Sequence, residues 1–332
     1  MNRKLFIFPY DIFLCSMQGG SLMNIQTCSR GVPYLLFAVT PIHAGTGKEE
    51  GEYVDLPIQR DFLGLPVIWG SSIKGALRTT YRIKKAEGSS GGDISKASDE
   101  ETIIFGPERE RAHEHAGSLL VTDAKSFIVP VPSLRGVVSF VTCPIMLENA
   151  KKIFELCGYS NLATVINEII QISKSKGVAV AGSSKIIIKN KVMLRDRIFD
   201  AIEESNIGQK IKSLISSLNI PISVDFIQER AVVLPDDEGV PFISRSTMSV
   251  TRISLDYRTK TVKEGALWTE EYVPESTMFV TALIALSPRK PGVSIDPIDE
   301  LRKVVANGQK DFYLILGGHE TIGKGIIKFC GW

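Results

Sequence analysis

Long apolar runs alternate with polar segments along the chain, and the longest runs predict buried β-strands. A continuous apolar run bounded by Pro or Gly is typical of a strand whose two faces are both covered. The clearest runs are VPYLLFAVTPIHAG from Val32, MFVTALIALS from Met278 and DFYLILGG from Asp311. The same reasoning predicts strands in LPVIWG, SLLVTDAKSFIVP, RGVVSFVTCPIML, GVAVAGSSKIIIKNKVML and ISVDFIQERAVVL.

Other segments repeat apolar residues every three or four positions, which predicts amphipathic helices. They are SSIKGALRTTYRIKKA, ENAKKIFELCGY, LATVINEIIQISKSK, IGQKIKSLISSL and DPIDELRKVVANG. We expect Ser71 or Ser72 to be the N-cap of the first helix, and Gly308 to end the last one. Strands and helices alternate irregularly. The pattern therefore predicts an α+β protein with antiparallel sheets, helices packed on one face and long insertions between core elements.

Two polar segments interrupt this pattern. The segment near 87–101 is rich in Gly, Ser and Asp, which predicts an insertion outside the core. The segment near 245–275 combines alternating apolar and polar residues with turn residues, which predicts a long β-hairpin or arm.

The N-terminal segment MNRKLFIFPYDIFLCSMQGGSLM contains an apolar run that Pro9 and Asp11 interrupt. Such a run is too short to span a bilayer. We expect residues 1–31 to be an extension, either disordered or the result of a start codon placed too early. Residues 32–332 are then expected to form a single domain.

Composition adds few constraints on function. The 332 residues are 44% hydrophobic and carry a formal net charge of +2. This charge is too small to indicate nucleic-acid binding by itself, so any basic surface must be local. The five cysteines are scattered and odd in number, which argues against a disulfide framework and suits a reducing cytoplasm.

The segment GGHETIGKG, from Gly317 to Gly325, resembles the start of a nucleotide phosphate-binding loop, because Gly318 opens a G-x-x-x-x-G-K pattern. Such a loop continues with Ser or Thr and then a helix, whereas here Gly325 and the strand-like GIIKFCGW follow. A nucleotide hydrolase is therefore disfavoured. Two alternatives remain open. Gly317, Gly318, Gly323, Lys324 and Gly325 could hold an RNA backbone, or the segment could be a tight β-turn.

One face of the first predicted helix is basic. Lys74, Arg78 and Arg82 recur every four residues, and Ser71 and Ser72 lie at the helix start, where free N–H groups attract anions. These features would suit successive phosphates of a nucleic-acid strand. The alternative is an ordinary amphipathic helix whose Lys/Arg face is solvated.

Seven motifs occur in one order: TPIHAGTG, VDLPIQR, GLPVIWGSSIKGALR, FGPE, HAGSLLVTDA, TKTVKEGALWTEEYVPES and GGHETIGKG. In this combination the chain resembles the RAMP superfamily of CRISPR RNA-binding proteins. More narrowly, it resembles the backbone subunits of type III-B (Cmr) effectors, the fourth subunit of that module. The resemblance extends from about Val32 to Phe329 and leaves out the N-terminal extension.

This resemblance implies a modified RRM-like (ferredoxin-like) core with long insertions, including a β-hairpin thumb. It implies that copies associate as a helical filament along a guide RNA, together with other Cmr effector subunits. Each copy would then cut a complementary single-stranded target RNA at regular intervals. The resemblance also favours the glycine segment as an RNA-backbone site. From the cysteine usage and the interrupted N-terminal run we expect a cytoplasmic protein with no membrane partner.

The family's cleaving aspartate precedes the PIQR motif, a position that Asp55 occupies here. The resemblance therefore implies that Asp55 is catalytic. It could act as a general base toward a ribose 2′-OH or hold a divalent cation, Mg²⁺ or Mn²⁺, bound transiently with the RNA. Because sites for Mg²⁺ combine one or two carboxylates with substrate phosphates, Asp55 alone would need oxygens from the RNA.

Other candidate residues follow from the same motifs. His43 could contact a phosphate or act as an acid, although a structural role is the alternative, and Arg60 could bind a phosphate through two hydrogen bonds. In the thumb, which includes Lys260, the apolar Leu267 and Trp268 could separate stacked bases. Trp268 could instead anchor the arm on its own core. Glu270 and Tyr272 are further catalytic candidates.

Two rival functions share parts of this pattern. A non-catalytic guide-binding subunit would have the same core and thumb, but the presence of Asp55 in its motif argues against it. A guide-maturing ribonuclease of the same superfamily would act alone, and the segment TKTVKEGALW argues against that.

Overall fold

The computed structural model describes residues 28–47, 54–88, 93–94, 96–290 and 292–332. Most of the predicted N-terminal extension lies outside these ranges, as do parts of the segment near 87–101. The acidic residues that precede Asp55 in the chain, Glu49, Glu50 and Glu52, lie outside them as well.

The described residues form fourteen β-strands and eight α-helices. The strands are β1 (Cys28–Ala38), β2 (Val67–Ile68), β3 (Leu119–Val121), β4 (Ala124–Ser133), β5 (Val137–Thr142), β6 (Ala179–Ala181), β7 (Lys191–Leu194), β8 (Arg197–Glu203), β9 (Ala231–Val233), β10 (Met248–Leu255), β11 (Val262–Tyr272), β12 (Met278–Leu286), β13 (Phe312–Ile315) and β14 (Ile326–Gly331).

The helices are α1 (Gly70–Glu87), α2 (Asp99–Phe105), α3 (Pro144–Leu156), α4 (Ser160–Lys176), α5 (Ser205–Ile215), α6 (Val224–Gln228), α7 (Asp236–Ser244) and α8 (Pro297–Ala306). None of the helices in the described part of the chain has both the length and the apolar character needed to cross a bilayer.

Twelve of the described strands form one sheet, in the order β13-β14-β1-β12-β4-β5-β9-β6-β8-β7, with β2 beside β4 and β3 beside β12. The central pairs β1–β12, β1–β14 and β4–β12 are antiparallel, as predicted. However, β5–β9 and β6–β8 are parallel, so the prediction of purely antiparallel sheets is wrong. Both parallel pairs lie in the part of the sheet that is inserted between β4 and β12.

The prediction that helices cover one face is also wrong, because β1 is buried on both faces. Tyr34 and Leu36 point into a core shared with α1 and α8, whereas Leu35 and Phe37 point into a core shared with α3, α4 and α5. Successive side chains of a strand point to opposite faces, so a fully apolar strand needs cover on both sides. The inserted helices supply the second cover.

Two predicted strands contain helical segments. In RGVVSFVTCPIML the strand stops at Thr142, and α3 begins at Pro144, because Pro is favoured in the first helical turn. In ISVDFIQERAVVL, α6 forms first and buries Ile227, and only Ala231–Val233 is a strand. Short apolar runs do not distinguish a helical turn from a strand, which explains both differences.

Helix α1 begins differently from the prediction. Neither Ser71 nor Ser72 is its N-cap, because the helix starts at Gly70 and Trp69 has no capping side-chain bond. Instead, Asp123 accepts a 2.9 Å hydrogen bond from the Gly70 N–H. A Cβ at Gly70 would lie 2.4 Å from the Val121 carbonyl oxygen, so glycine allows α1 to start against β3.

Candidate nucleic-acid interface

Five segments meet at one end of the central strands: the residues after β1, residues 54–60, the start of α1, the base of the β10–β11 hairpin and the glycine segment 317–325. The isolated bridges Ile42–Val273, Gly45–Ile58 and Leu56–Glu270 connect the first two segments to each other and to the hairpin base. This is where the structure brings together most of the residues that the sequence predicts to be functional.

Asp55 lies on the surface at this junction and is held in place by the hairpin. Its Oδ2 accepts hydrogen bonds from the Thr269 N–H at 2.7 Å and from Thr269 Oγ1 at 2.9 Å. The Asp55 N–H donates to Thr269 Oγ1 at 3.1 Å. An exposed carboxylate that is fixed by a backbone N–H and a hydroxyl is positioned for chemistry on a bound substrate.

The segment that follows Asp55 pairs with β11 through one isolated parallel bridge, between Leu56 and Glu270. The Leu56 N–H donates to the Thr269 carbonyl at 3.1 Å, and the Glu271 N–H donates to the Leu56 carbonyl at 3.0 Å. These bonds connect the Asp55 segment directly to the hairpin, so the two cannot move independently while the bonds are intact.

Arg60 pairs with a buried carboxylate. It forms an ion pair with Glu271, and its Nη1 donates to the carbonyls of Gly64 at 2.6 Å and Ser244 at 2.7 Å. The guanidinium is therefore engaged by the protein in this structure. The predicted contact of Arg60 with a phosphate would require some of these bonds to open.

Gln59 connects the Asp55 segment to α1 and to the residues that follow β1. Its Nε2 donates to Ser72 Oγ at 3.0 Å and to the Gly45 carbonyl at 3.2 Å, and its Oε1 accepts from the Trp69 N–H at 2.7 Å. The side chain is buried and bonds through both polar atoms. Of the two serines predicted to bind RNA, Ser72 takes part in this network and Ser71 is exposed.

His43 is buried between the hairpin base and the glycine segment. Its Nδ1 lies 2.7 Å from the Glu271 carbonyl oxygen, and its ring centroid is 5.5 Å from that of Tyr272 and 5.3 Å from that of His319. It is 7% exposed, which favours the structural role left open by the sequence. A direct role of His43 in contacting RNA stays a prediction.

The glycine segment packs closely on His43, which follows β1, and on Leu316, which follows β13. A Cβ at Gly317 would lie 2.2 Å from the His43 carbonyl oxygen, and one at Gly325 would lie 2.2 Å from that of Leu316. Both glycines have positive φ angles. These glycines therefore serve close backbone packing. The strand β14 follows directly, as predicted, whereas a nucleotide hydrolase would have a helix there.

Several N–H groups of this segment are already bonded within the protein. Gly318 donates to the His43 carbonyl and Gly325 to the Pro41 carbonyl, both at 2.9 Å, and Gly323 donates to the Glu320 carbonyl at 2.9 Å. The Lys324 N–H donates to the His319 carbonyl at 3.3 Å, while its ammonium lies 5.4 Å from the Tyr272 ring centroid. The ammonium of Lys324 thus remains the clearest candidate for a phosphate contact in this segment.

Glu270 and Tyr272 form a buried cluster at the hairpin base. The Tyr272 hydroxyl donates to Glu270, whose carboxylate also accepts from Trp268 Nε1 at 2.7 Å. Arg252 Nε lies 3.8 Å from Glu270, and His319 Nε2 lies 3.4 Å from it.

The environment of this cluster keeps Glu270 ionised and Tyr272 protonated. Burial acts to raise the pKa of Glu270, but the hydrogen bonds from Tyr272 and Trp268 and the nearby His319 and Arg252 outweigh it and lower the pKa. Burial and the bond to Glu270 raise the pKa of Tyr272 to about 12. Because both side chains are almost fully buried, a catalytic contact with RNA would require the base to open.

The β10–β11 hairpin carries two different faces. Trp268 lies on the same face as Glu270, is half-buried and donates to its carboxylate. Leu267 lies on the opposite face beside Thr269 and is 65% exposed, with Ile253 directly across from it. The structure therefore supports an anchoring role for Trp268 and leaves Leu267 available for contact. Lys260 lies in the turn at the far end, with a positive φ angle.

The predicted basic face of α1 is largely neutralised by one buried acid. Glu101 on α2 is buried and accepts from Arg78 Nε at 2.7 Å and from Arg82 Nη2 at 2.6 Å. Lys74 makes no ion pair with any residue that the structure describes. Burial and the charge of Arg78 lower the pKa of Lys74. A partly desolvated cation without an acidic partner is better suited to an external anion than Arg78 is.

The structure thus brings together Asp55, His43, Arg60, Ser72, Lys324 and the hairpin base. Lys74 lies near the start of α1, Arg78 is paired with Glu101, and Lys260 lies at the far end of the hairpin. Sequence reasoning missed Gln59, Glu101, Glu271 and His319. Gln59 belongs to the PIQR motif and His319 to the glycine motif. The motifs therefore indicated which segments matter, but not the contacts that Gln59 and His319 make. Within the described ranges, no three His, Cys, Asp or Glu side chains form a cluster that could hold a metal ion.

Sequence comparison finds close relatives of this chain. The profile of the RAMP superfamily matches residues 36–328. The chain is 38% identical over 297 residues to the CRISPR system Cmr endoribonuclease Cmr4 of Pyrococcus furiosus, covering 88% of this chain and 92% of the relative. It is 32% identical to the CRISPR system CMR subunit Cmr4 of Saccharolobus solfataricus, covering 89% of this chain and 94% of the relative.

Structural comparison agrees. A chain in the cryo-EM structure of the type III-B Cmr-beta complex bound to cognate target RNA matches with a TM-score of 0.71 and 25% identity, covering 92% of this chain and 98% of that one. The crystal structure of oligomeric Cmr4 from Pyrococcus furiosus matches with a TM-score of 0.63 and 26% identity, covering 92% of this chain and 99% of that one.

Proposed function

The chain belongs to the RAMP superfamily, and on this premise we propose that it is a backbone subunit of a type III-B CRISPR effector. In this role it binds guide RNA, associates with further copies and other effector subunits, and cleaves complementary target RNA. One observation carries the catalytic part of the proposal. Asp55 is exposed at the base of a long hairpin, and Thr269 fixes its carboxylate there.

The central strands support the inference of a modified RRM-like core. In chain order the elements β1, α1, β4, β12, α8 and β14 follow the β-α-β-β-α-β pattern of ferredoxin-like folds. In space the four strands lie in the order β14-β1-β12-β4, and α1 and α8 share one face. The segment between β4 and β12 then contains the main insertions and the β10–β11 hairpin.

In this core, the sheet face that binds RNA in RRMs is covered and cannot bind RNA. In an RRM, aromatic residues on the open face of the sheet stack on bases. Here α3, α4 and α5 cover that face. RNA binding is therefore assigned to the rim of the core, where the Asp55 segment, the glycine segment, the α1 start and the hairpin meet.

The β10–β11 hairpin is proposed to be the thumb. It extends beyond the main sheet as a separate two-stranded sheet, and its Leu267 lies next to Thr269 on one face. Because Thr269 also holds Asp55, an apolar wedge and a carboxylate are adjacent. A base displaced by Leu267 would leave its ribose close to Asp55.

The proposed reaction is transesterification at a displaced nucleotide. Asp55 accepts the proton of the ribose 2′-OH, and the 2′ oxygen attacks the adjacent phosphorus. The bond between phosphorus and the 5′ oxygen breaks, and this oxygen takes a proton from water. The products are a 2′,3′-cyclic phosphate and a 5′-OH end. DNA lacks the 2′-OH and would not be cut.

A divalent cation, Mg²⁺ or Mn²⁺, is proposed to bind together with the RNA. The donor set fits only a transient site, because Asp55 supplies one carboxylate and the other oxygens would come from phosphate and water. When bound, the cation would stabilise negative charge on the phosphate. Consistent with an RNA-guided complex, we place the protein in the cytoplasm.

The proposal is tested with a complex reconstituted on a guide RNA. A complementary RNA target should be cut at regular positions into products with 2′,3′-cyclic phosphate and 5′-OH ends. A target with a single 2′-deoxyribose on the 5′ side of one scissile phosphate should lose that cut alone, with the remaining cuts as control. Cleavage at the deoxy position would exclude attack by the 2′-OH.

Binding of guide RNA should depend on Lys74. Replacing Lys74 with Ala should weaken guide binding, and the slope of log affinity against log salt should become shallower by about 0.7 for each lost phosphate contact. Lys84, an exposed lysine on the same helix that pairs with Glu87, gives the matched control Lys84→Ala. An unchanged salt slope would show that Lys74 makes no phosphate contact and belongs to an ordinary solvated helix face.

A non-catalytic guide-binding subunit is the alternative function. It would keep the core, the hairpin and the dependence on Lys74. The exposed Asp55 carboxylate and the resemblance to a named endoribonuclease disfavour it. The deoxyribose experiment distinguishes the two, because a non-catalytic subunit would leave every target intact.

A further inference from the structure

Glu271 is a buried carboxylate that the proposed reaction does not use. Its side chain is 8% exposed, although it follows directly after Glu270 on β11. Adjacent residues of a strand point to opposite faces, so Glu271 lies outside the cluster of Glu270 and Tyr272. A buried charge is costly in free energy unless it is paired and hydrogen-bonded, so the carboxylate of Glu271 must have bonding partners within the protein.

The Glu271 carboxylate binds three groups from two different segments. It pairs with Arg60, accepts from Thr247 Oγ1 at 2.6 Å and accepts from the Ile58 N–H at 3.2 Å. Ile58 and Arg60 belong to the segment that begins at Asp55. Thr247 directly precedes β10. One carboxylate therefore joins the Asp55 segment to both strands of the hairpin.

The backbone of Glu271 extends this junction in two directions. Its N–H donates to the Leu56 carbonyl at 3.0 Å, and its carbonyl lies 2.7 Å from His43 Nδ1. Around Asp55 the backbone pairing with the hairpin is short, with the Leu56 N–H bond to Thr269 at 3.1 Å as the next contact. The segment also pairs with the residues after β1, where the Gln59 N–H donates to the Ala44 carbonyl at 2.7 Å and the Thr46 N–H donates to the Pro57 carbonyl at 3.2 Å. Its backbone pairing with the hairpin runs through Leu56, so the side-chain bonds of Glu271 add a second connection to the hairpin.

We propose that Glu271 is a positioning residue that fixes the Asp55 segment against the hairpin and thereby sets the cleavage rate. This inference rests on the proposed function. Glu271 touches neither RNA nor the reacting atoms and acts through Ile58, Arg60 and Thr247. If it is neutralised, the segment loses the acceptor that aligns it, and a displacement of about 1 Å at a catalytic group can cost about 100-fold in rate.

The first test replaces Glu271 with Gln, which keeps the shape of the side chain and removes its charge. The amide group cannot accept at both oxygen positions, so one of its present partners loses its acceptor. We expect the single-turnover cleavage rate in the reconstituted complex to fall about 10- to 100-fold. Guide and target affinities should change by less than about 2-fold. Glu275→Gln, an exposed change shortly after β11, is the matched control.

The second test separates positioning from stability. In the double variant Arg60→Met with Glu271→Leu, apolar side chains replace the buried ion pair, an exchange that is often neutral for stability. We expect its melting temperature to be near wild type while cleavage at saturating target is low, because Ile58 and Thr247 still lack their acceptor. Guide and target affinities are measured in parallel, because Arg60 is itself a candidate phosphate contact. Thr247→Val, which removes one donor alone, should fold and show a smaller loss of rate.

The outcomes distinguish the inference from the proposed function. Wild-type cleavage by Glu271→Gln would show that Glu271 has only a structural role. A double variant with both cleavage and melting temperature near wild type would show the same. Asp55→Asn is measured beside these variants. Active Asp55→Asn would overturn the proposed catalytic residue, whereas inactive Asp55→Asn with active Glu271→Gln would overturn the positioning role alone.

Discussion

Replacing Asp55 with Asn should lower target cleavage by at least about 100-fold, the range expected when a general base is removed. The asparagine amide has nearly the shape of the carboxylate and can still accept from Thr269 through its oxygen. The fold of the junction should therefore be kept, while the ability to take a proton is lost. Guide binding and target binding should change by less than about 2-fold, because Asp55 lies on the surface and contributes to no core.

The measurement is single-turnover cleavage of a labelled target by the reconstituted complex, with filter binding of guide and target in parallel. Asp196→Asn is the matched control, since Asp196 is an exposed aspartate in the turn between β7 and β8. Near-normal cleavage by Asp55→Asn would show that another group performs the chemistry. Loss of guide binding in the same variant would instead indicate a structural role for the carboxylate.

Replacing Leu267 with Ser should reduce cleavage about 10-fold or more at every cut site together. The apolar side chain is 65% exposed beside the residue that holds Asp55. Inserting such a side chain between bases costs a few kcal/mol of stacking, which contacts with protein can offset. Without the wedge, the ribose stays in helical geometry and its 2′-OH is poorly aligned for attack.

Ile198→Ser is the control for Leu267→Ser, because Ile198 is an exposed apolar residue on β8 and not on the hairpin. The double change of Leu267 and Trp268 to Ser should be more severe and should also disturb the hairpin base, since Trp268 bonds to Glu270. Products should be mapped at nucleotide resolution on matched and singly mismatched targets. Irregular cut positions, or equal sensitivity to a mismatch at every guide position, would contradict the wedge.

The central strands were predictable because their hydrophobic signal is long. The runs around Leu35 and Val280 are apolar on both faces, and both became central strands. Because both faces are apolar, the sequence did not reveal the second layer of helices, α3, α4 and α5. A continuous apolar run indicates that a strand is buried, but not which elements cover each of its faces. Ile227 shows the limit of this reasoning for short apolar runs. A single helical turn and a strand can bury the same residue, so the run does not predict which of them forms.

The site was predictable in its segments and less so in its contacts. The spacing of Lys74 and Arg78 correctly placed both on α1, but Glu101 comes from a separate helix and no spacing in α1 could indicate that pairing. Likewise, Glu271 is more than two hundred residues from Arg60, so their ion pair follows only from the fold. Asp55 as the catalytic residue rests on the resemblance of its motif, and the structure adds its exposure and its bond to Thr269.

The bond from the Trp268 indole to Glu270 makes the hairpin base accessible to spectroscopy. The chain has three tryptophans, and Trp332 is bonded to the Leu214 carbonyl, away from this junction. Indole emission responds to nearby ionised groups and to water. In a Trp69→Phe background, fluorescence of Trp268 would therefore report whether the base opens when RNA binds. Opening of the hairpin base could then be timed separately from the cut, even in a complex whose Asp55 has been replaced.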